Sequence, residues 1–501
     1  MPKQRNNRKI RCSSPALLLV GIVIFGFGCS YQRSPITGKK TPYGYSWQRE
    51  LEIGREADPQ IVAEYGIYDE DGVTEYVRKV GQRVLEQSHL RRPETLPEYR
   101  IDFTFRVLDS PVLNAFALPG GYVYVTRGLL AHMENEAQLA MVIGHEVAHV
   151  AARHSSKQAF RNQLGQIGIL GGAVVGEVLA GAGAELLQAG SQASQLLMLS
   201  YSRGSESESD ELGVEYAAKA GYQAGEGAGF FETLKRVSEQ AGSRIPSWQS
   251  THPDPGKREI KIKEMAAEWD VELDMDDVGR ERLLDTIDGI VVGTNPRQGF
   301  VRDNVFYHPD LAFRFPVPSG WTVFNLTTKV AMTDASQQVV VMLTLTEGNN
   351  VSDAASSFVR ESQVTVRDHR ERTINGLNAY VIEAAFSQDR QQIRLVAYFI
   401  VYGGRIYQFL AYTYSHLFAD KSSVLREAPL GFSEVFDRNI LDIQPDRLQV
   451  ITVTTAGDLS SLVVDLPDQF KPDDIAILNQ LQLSSQVGRG QKVKLFISPE
   501  E

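Results

Sequence analysis

The stretch Met141-Val142-Ile143-Gly144-His145-Glu146-Val147-Ala148-His149-Val150 places two His and one Glu inside an otherwise apolar run. On an α-helix His145 and His149 stand at i and i+4, so both imidazoles leave the same face. Two His at that spacing can hold one zinc ion, with Glu146 beside them to take a proton from the metal's water. Zinc lowers the pKa of such a water to about 7, which makes this chemistry available at neutral pH. A zinc peptidase is the leading reading, and an amphipathic helix that happens to carry two His is the plain alternative.

A catalytic zinc usually has three protein ligands and one open position. A third ligand in Gly and His three and six residues after His149 is absent, because those positions are Ala152 and Ser155. The better source is the acidic run Ser205-Glu206-Ser207-Glu208-Ser209-Asp210-Glu211, which opens a helical pattern continuing through Val214, Tyr216, Ala217 and Ala220. Glu206 and Asp210 share a helix face at i and i+4. That suits one carboxylate as a ligand and a second that accepts the outer N–H of a ligating His. Without the upstream motif, acidic residues in a first helical turn need only favour the helix dipole.

The chain closely resembles the zinc metallopeptidase family that includes the CAAX prenyl endopeptidases, the HtpX heat-shock proteases and the BepA-type periplasmic proteases. The resemblance rests on His145 to His149 with Arg153-His154 after it, on Ser202-Arg203-x-x-Glu206-x-Glu208-x-Asp210, and on Thr251-His252-Pro253-x-Pro255-x-x-Arg258. It spans roughly residues 35–265, with Ser209 where the family usually has Ala. It implies one Zn²⁺ per chain held by His145, His149 and Glu206 rather than Glu208. It also implies Asp210 as the partner of a ligating His, Glu146 as general base, and His252 and Arg258 near the zinc, where they stabilise the oxyanion.

The segment 114–125, from Asn114 to Val125, reads as a strand, a Pro119-Gly120-Gly121 turn and a second strand. In the family the part matching Asn114, Ala115 and Phe116 is an edge strand beside the metal, to which an extended substrate can add through main-chain hydrogen bonds. The alternative is an ordinary hairpin with Phe116 in the core.

At the N-terminus, Lys3, Arg5, Arg8, Lys9 and Arg11 precede an uncharged apolar run over 16–27 that ends at Gly28-Cys29-Ser30. That run is short for a membrane span and reads as a secretory signal over 1–28. Cys29 resembles the acylated first residue of a bacterial lipoprotein, although Gly26 stands where an aliphatic residue is usual. The expected location is the periplasmic side of the cell envelope, as an outer-membrane lipoprotein anchored through Cys29. The chain has 2 Cys, so the mature protein would keep Cys29 alone and no disulfide can form within it. Loss of residues 1–28, with five basic and no acidic side chains, takes the formal charge from −11 to −16. Such acidity argues against nucleic acid and against binding anionic lipid by charge.

Composition is that of a globular protein, 43% hydrophobic and 23% charged, and 501 residues suit about three domains. The expected fold is multidomain: a mostly α zincin-like metallopeptidase domain with a small edge β-sheet over 29–268, then a linker over 269–304. A Gly- and Ala-rich stretch over 164–199 reads as two helices forming a lid on the zinc. Strands over 305–315, 321–325, 339–346, 379–385, 393–401 and 405–411, with helices over 353–361 and 421–432, give an α/β domain over 305–442 that weakly resembles PsbP-like proteins. It carries no catalytic constellation. The final part, 446–501, resembles a degenerate βααβ LysM-like module through Gly457-Asp458-Leu459-Ser460, Leu478-Asn479 and Gly490-Gln491-Lys492-Val493-Lys494, which implies possible peptidoglycan contact. The functional expectation is an exported zinc endopeptidase acting on misfolded or unassembled cell-envelope proteins. The alternative is an autoinhibited envelope chaperone or peptidoglycan-binding factor working mainly through its C-terminal modules.

Overall fold

In the computed structural model the described residues are 30–68, 70–169, 201–241, 252, 255–273, 278–388 and 391–498. The expected signal, Cys29 and all of the expected lid from residue 170 onward lie outside them. Among the described residues, no helix is long and apolar enough to cross a membrane.

Apolar periodicity sets the first half. A hairpin of β1 (Ser30–Arg33) and β2 (Lys40–Tyr43) leads into α1 (Trp47–Tyr65) and α2 (Asp71–Leu85). Val73, Val77, Val80 and Val84 recur at helical spacing on α2, and all four are buried. A three-stranded sheet follows in the order β3 (Thr104–Leu108), β5 (Tyr122–Thr126), β4 (Ala115–Leu118). β3 runs parallel to β5 and β4 antiparallel to it, so β4 is an edge. The β4–β5 turn uses Gly120 and Gly121 at φ 86° and 89°, a region that disfavours side chains with a Cβ. Helices α3 (Arg127–His132), α4 (Glu136–Ala151), α5 (His154–Ile169), α6 (Arg203–Lys219), α7 (Gly227–Ala241) and α8 (Pro255–Leu273) complete this half.

The stretch expected as a linker is partly built into the core. Residues 280–287 form α9 (Arg280–Ile287), whose Leu283, Leu284 and Ile287 are fully buried. Each such side chain contributes about 1.5–3 kcal/mol of burial, enough to hold an eight-residue helix against its neighbours.

A β-rich region follows. Residues 305–315 do not form one strand, because the chain turns back at Ala312, φ 52°, and makes β7 (Val305–His308) and β8 (Phe313–Pro316). With β6 (Phe300–Arg302) and β16 (Ser433–Glu434) they form a four-stranded sheet. The facing sheet has seven strands in the order β12 (Thr365–Ile374), β13 (Leu377–Gln388), β14 (Gln391–Tyr402), β15 (Arg405–Tyr414), β11 (Val339–Thr346), β10 (Lys329–Thr333), β9 (Thr322–Leu326). Helices α10 (Val351–Ser362) and α11 (Phe418–Gly431) pack on it.

The last segment pairs β17 (Arg447–Thr452) antiparallel with β20 (Lys492–Ile497), and between them come the short antiparallel pair β18 (Gly457–Asp458) and β19 (Gln486–Val487), a 3₁₀ turn at Leu459–Leu462 and α12 (Pro472–Leu478). Its apolar side chains, among them Leu448, Ile475, Leu478, Val493 and Phe496, join the same hydrophobic cluster as α2, α4 and α6. Lys494 is wholly buried, and its Nζ donates to the carbonyls of Ala131 (3.1 Å) and Met133 (2.8 Å) and pairs with Glu134 (2.8 Å). Gln480 and Gln138 exchange amide hydrogen bonds at 3.0 Å.

Candidate metal centre

Helix α4 begins where the Asn135 side chain accepts the Gln138 N–H, and every one of its residues is buried. A core helix of this kind holds its side chains in fixed rotamers. It meets α6 at two glycines. A Cβ on Gly144 would stand 2.8 Å from the Gly213 carbonyl oxygen, and one on Gly213 would stand 2.9 Å from the His145 nitrogen. That backbone contact brings the acidic face of α6 against His145 and His149. Ser202 caps α6 by accepting the Ser205 N–H, so Glu206 lies in its first turn.

His145, His149, Glu206 and His252 offer ligand atoms that all lie within 4.8 Å of one another, and all four residues are buried. Nε2 of His145 is 2.9 Å from Nε2 of His149 and 3.6 Å from Glu206 Oε2, while Glu206 Oε1 is 3.5 Å from His149 Nε2. His252 Nδ1 is 3.3 Å from His145 Nε2 and 3.1 Å from Glu206 Oε2.

The outer ring nitrogens explain why both Nε2 atoms point inward. His145 Nδ1 is 3.0 Å from Asp210 Oδ1. His149 Nδ1 is 3.0 Å from His154 Nδ1, and His154 Nε2 is 3.0 Å from Glu208 Oε2, which Lys157 Nζ also holds at 3.0 Å. With Nε2–H of His154 donated to Glu208, its Nδ1 accepts from His149, which leaves a lone pair on His149 Nε2. Ser209, where Ala was expected, puts its Oγ 3.2 Å from the same His154 Nδ1. Arg258 Nε and Nη2 donate to Asp210 (2.8 and 2.6 Å), and Nη1 donates to Glu206 (2.9 Å). Tyr201 stacks on His149 at 4.2 Å between centroids.

Electrostatics follow from burial and these pairs. Burial and the Arg258 charge press His145 toward neutrality, but the Asp210 and Glu206 carboxylates outweigh them and hold its pKa up at about 9. Burial and the His145 charge drive His149 well below the ordinary histidine value. Glu206 and Asp210 lie below the ordinary carboxylate range despite burial: His252 and His145 lower Glu206, and Arg258 and His145 lower Asp210. Glu146 moves the other way, because burial raises it more than His252 and His145 lower it. Its Oε1 is buried and has no hydrogen-bond partner among the described residues.

Two imidazole nitrogens, an ionised carboxylate and an oriented outer partner for each His form a donor set that fits zinc. The fit comes from the residues themselves, since three N/O donors converge and a third imidazole, that of His252, stands within reach as a fourth donor.

The sequence reading named His145, Glu146, His149, Glu206, Asp210, His252 and Arg258, and the fold brings all seven together. Of Asn114, Ala115 and Phe116, the edge strand β4 carries the latter two. The Phe116 ring packs in a small core against Tyr124 (4.8 Å) with Ala57 and Ile61. The other end of β4 reaches the site, where Ala117, Leu118 and Pro119 share a small pocket with His149 and Tyr201. The reading did not assign Glu208 to His154 or give Gly144 and Gly213 a role. The signal available was Arg153-His154 itself, quoted as a motif without a partner.

Residues 73–266 match the model of peptidase family M48. The chain is 31% identical over 201 residues to a putative beta-barrel assembly-enhancing protease of Vibrio cholerae, covering 39% of this chain and 40% of that protein. It is 29% identical over 271 residues to the mitochondrial metalloendopeptidase OMA1 of Schizosaccharomyces pombe, covering 52% and 76%. It is 27% identical over 247 residues to the beta-barrel assembly-enhancing protease of Escherichia coli, covering 48% and 49%. The chain thus spans less than half the length of the two bacterial relatives. Among solved structures, cyanobacterial PsbP from Synechocystis is similar at 14% identity and a TM-score of 0.23, over 26% of this chain and 91% of that one. Residues 73–266 thus match peptidase family M48, a family of zinc-dependent metallopeptidases, and within them lies a buried His and Glu cluster able to hold a metal ion.

Proposed function

We propose that the protein is an exported zinc endopeptidase that hydrolyses peptide bonds of misfolded or unassembled cell-envelope proteins. The observation that carries this reading is the Glu146 carboxylate, buried without a hydrogen-bond partner on Oε1 beside the two inward-facing Nε2 atoms. In this reading His145, His149 and Glu206 hold one Zn²⁺ per chain, which when bound supplies a Lewis acid for the peptide carbonyl and for water. Glu146 takes the proton of the attacking water and returns it to the leaving amine. Its raised pKa suits a group that must both accept and give that proton. Asp210 and His154 orient the two His, and Arg258 fixes Glu206 and Asp210 against each other. Arg258 spends its donors on those carboxylates, so it positions them and is not free to stabilise an oxyanion. His252 stands where a fourth ligand would stand, and it acts as a gate that withdraws when substrate enters. Substrate adds as a strand to the free edge of β4.

Substrate class and location draw on the two bacterial relatives, whose names tie them to beta-barrel assembly. The signal-like residues 1–28 and Cys29 support export and a lipid anchor at the periplasmic face of the outer membrane. Residues 446–501 are read as a LysM-like module with Asp458 and Ser460 exposed for glycan contact. The test compares native protein with Glu146→Gln. Both should hold one zinc and only the native chain should digest casein, whereas equal digestion by the two would overturn the reading.

A further inference from the structure

A cleft of about 750 Å³ lies between the peptidase half and the β-rich region. Its size is that of a ligand site and its position, at a junction between two packed units, is where such sites concentrate. One wall is Ser110, Pro111 and Val112, the residues that lead into β4, and the opposite wall includes Leu326 of the terminal strand β9 and Leu343 and Leu345 of β11. Val112 is 44% exposed and Leu345 52% exposed, so the cleft presents apolar side chains to solvent. Polar groups sit at its edge: Arg127 pairs with Asp109 at 2.6 Å, and Thr327 Oγ1 donates to the Glu64 carbonyl at 3.2 Å across the two halves.

The cleft lies just before the start of β4, at the opposite end of that strand from the metal centre. Leu118 borders the pocket at His149, and Val112 borders the cleft. Those two residues are six apart, at most about 20 Å of extended chain. A polypeptide paired along β4 and followed away from the metal centre therefore arrives at the cleft after about six residues.

We propose that this cleft is a second docking site for substrate, receiving an apolar, extended segment of an unfolded polypeptide that lies about six residues or more from the bond to be cut. This rests on the peptidase reading and deepens it. The enzyme would thereby select chains that are both unfolded and apolar over a longer stretch than the metal site can sense. Short peptides would reach only β4.

The test uses Leu326→Asp and Leu345→Asp, which place charge on the cleft wall, with Phe324→Asp as control. Phe324 is 43% exposed on β9 and does not line the cleft. Binding is read by anisotropy of fluorescent, carboxymethylated α-lactalbumin on the Glu146→Gln full chain, and cleavage by a quenched hexapeptide on chains with Glu146 intact. The two cleft variants should raise Kd for the long unfolded chain about tenfold and leave hexapeptide hydrolysis unchanged, and Phe324→Asp should change neither. Unaltered Kd in both cleft variants, the same rise in Phe324→Asp, or a parallel fall in hexapeptide hydrolysis would overturn the proposal. If the native chain cuts no hexapeptide, the peptidase reading fails, while the binding arm still decides the cleft.

Discussion

Glu208 touches none of the residues assigned to the metal, yet the geometry gives it control over one of them. Its carboxylate holds His154 Nε2 at 3.0 Å, and His154 Nδ1 faces His149 Nδ1 at 3.0 Å. The hydrogen bond to His154 and the charge of Lys157 lower the Glu208 pKa to about 2, so the acceptor is ionised throughout the working range. Glu208→Ala removes the group that fixes the His154 tautomer and frees His154 to turn. Loss of such an outer partner typically weakens metal binding 10–100-fold, or about 1.4–2.8 kcal/mol. Glu206→Ala should cost far more, because it removes an ionised donor from the cluster itself. Zinc affinity measured by competition with a chromophoric chelator separates the three proteins. A His154→Phe chain supplies the decisive comparison, since Glu208→Ala added to it should have little further effect. Full affinity in Glu208→Ala, or an undiminished effect of Glu208→Ala when His154 is already Phe, would refute the chain of contacts from Glu208 to His149.

Gly144→Ala should destabilise the protein by about 1–3 kcal/mol in chemical denaturation, because its Cβ meets the Gly213 carbonyl at 2.8 Å and must push α4 and α6 apart. A His252→Ala chain should cut peptides faster or degrade itself, and slower cleavage would point to transition-state work instead of gating. Acid should weaken the fold. Burial and the Arg92 charge lower the pKa of His89 to about 4 from 6.5, so below pH 6.5 the unfolded chain takes up a proton that the folded chain refuses until about pH 4. Stability from this group is complete above pH 6.5 and falls by about 2 kcal/mol at pH 5, readable as a lower Tm that His89→Phe renders less pH-dependent. Cys29→Ser should move the protein from the membrane fraction to the soluble one with zinc content unchanged, and an intact mass beginning at Met1 would replace the lipid anchor with an uncleaved signal.

The legible parts were those in which periodicity and chemistry coincide. Residues 141–150 announce a helix, a face and a metal at once, and Pro119-Gly120-Gly121 announces its turn. Strand β12 was missed because nine of its ten residues are exposed or half-exposed and six are charged or His, leaving an edge strand with no apolar alternation. β10 was missed because it is short and almost wholly buried, so it shows no alternation either. α9 reads as an acidic connector until its three apolar residues are seen to share one buried face. The bond between His154 and Glu208 joins residues 54 apart, and only the crossing of α4 and α6 at paired glycines brings them together. The attachment of the last segment was equally hidden, since a β-rich region with its own cores separates it from the helices it joins.

That attachment sets an order of events during synthesis. Lys494 plugs the carbonyls at the end of α3, and Gln480 braces Gln138 at the start of the helix that bears His145 and His149. The ribosome makes these groups more than 300 residues after the helix they brace. Until they emerge, the apolar surface that Leu448, Ile475 and Phe496 will cover stays open. A nascent or truncated chain therefore carries the whole metal-binding sequence without the finished framework that aligns it.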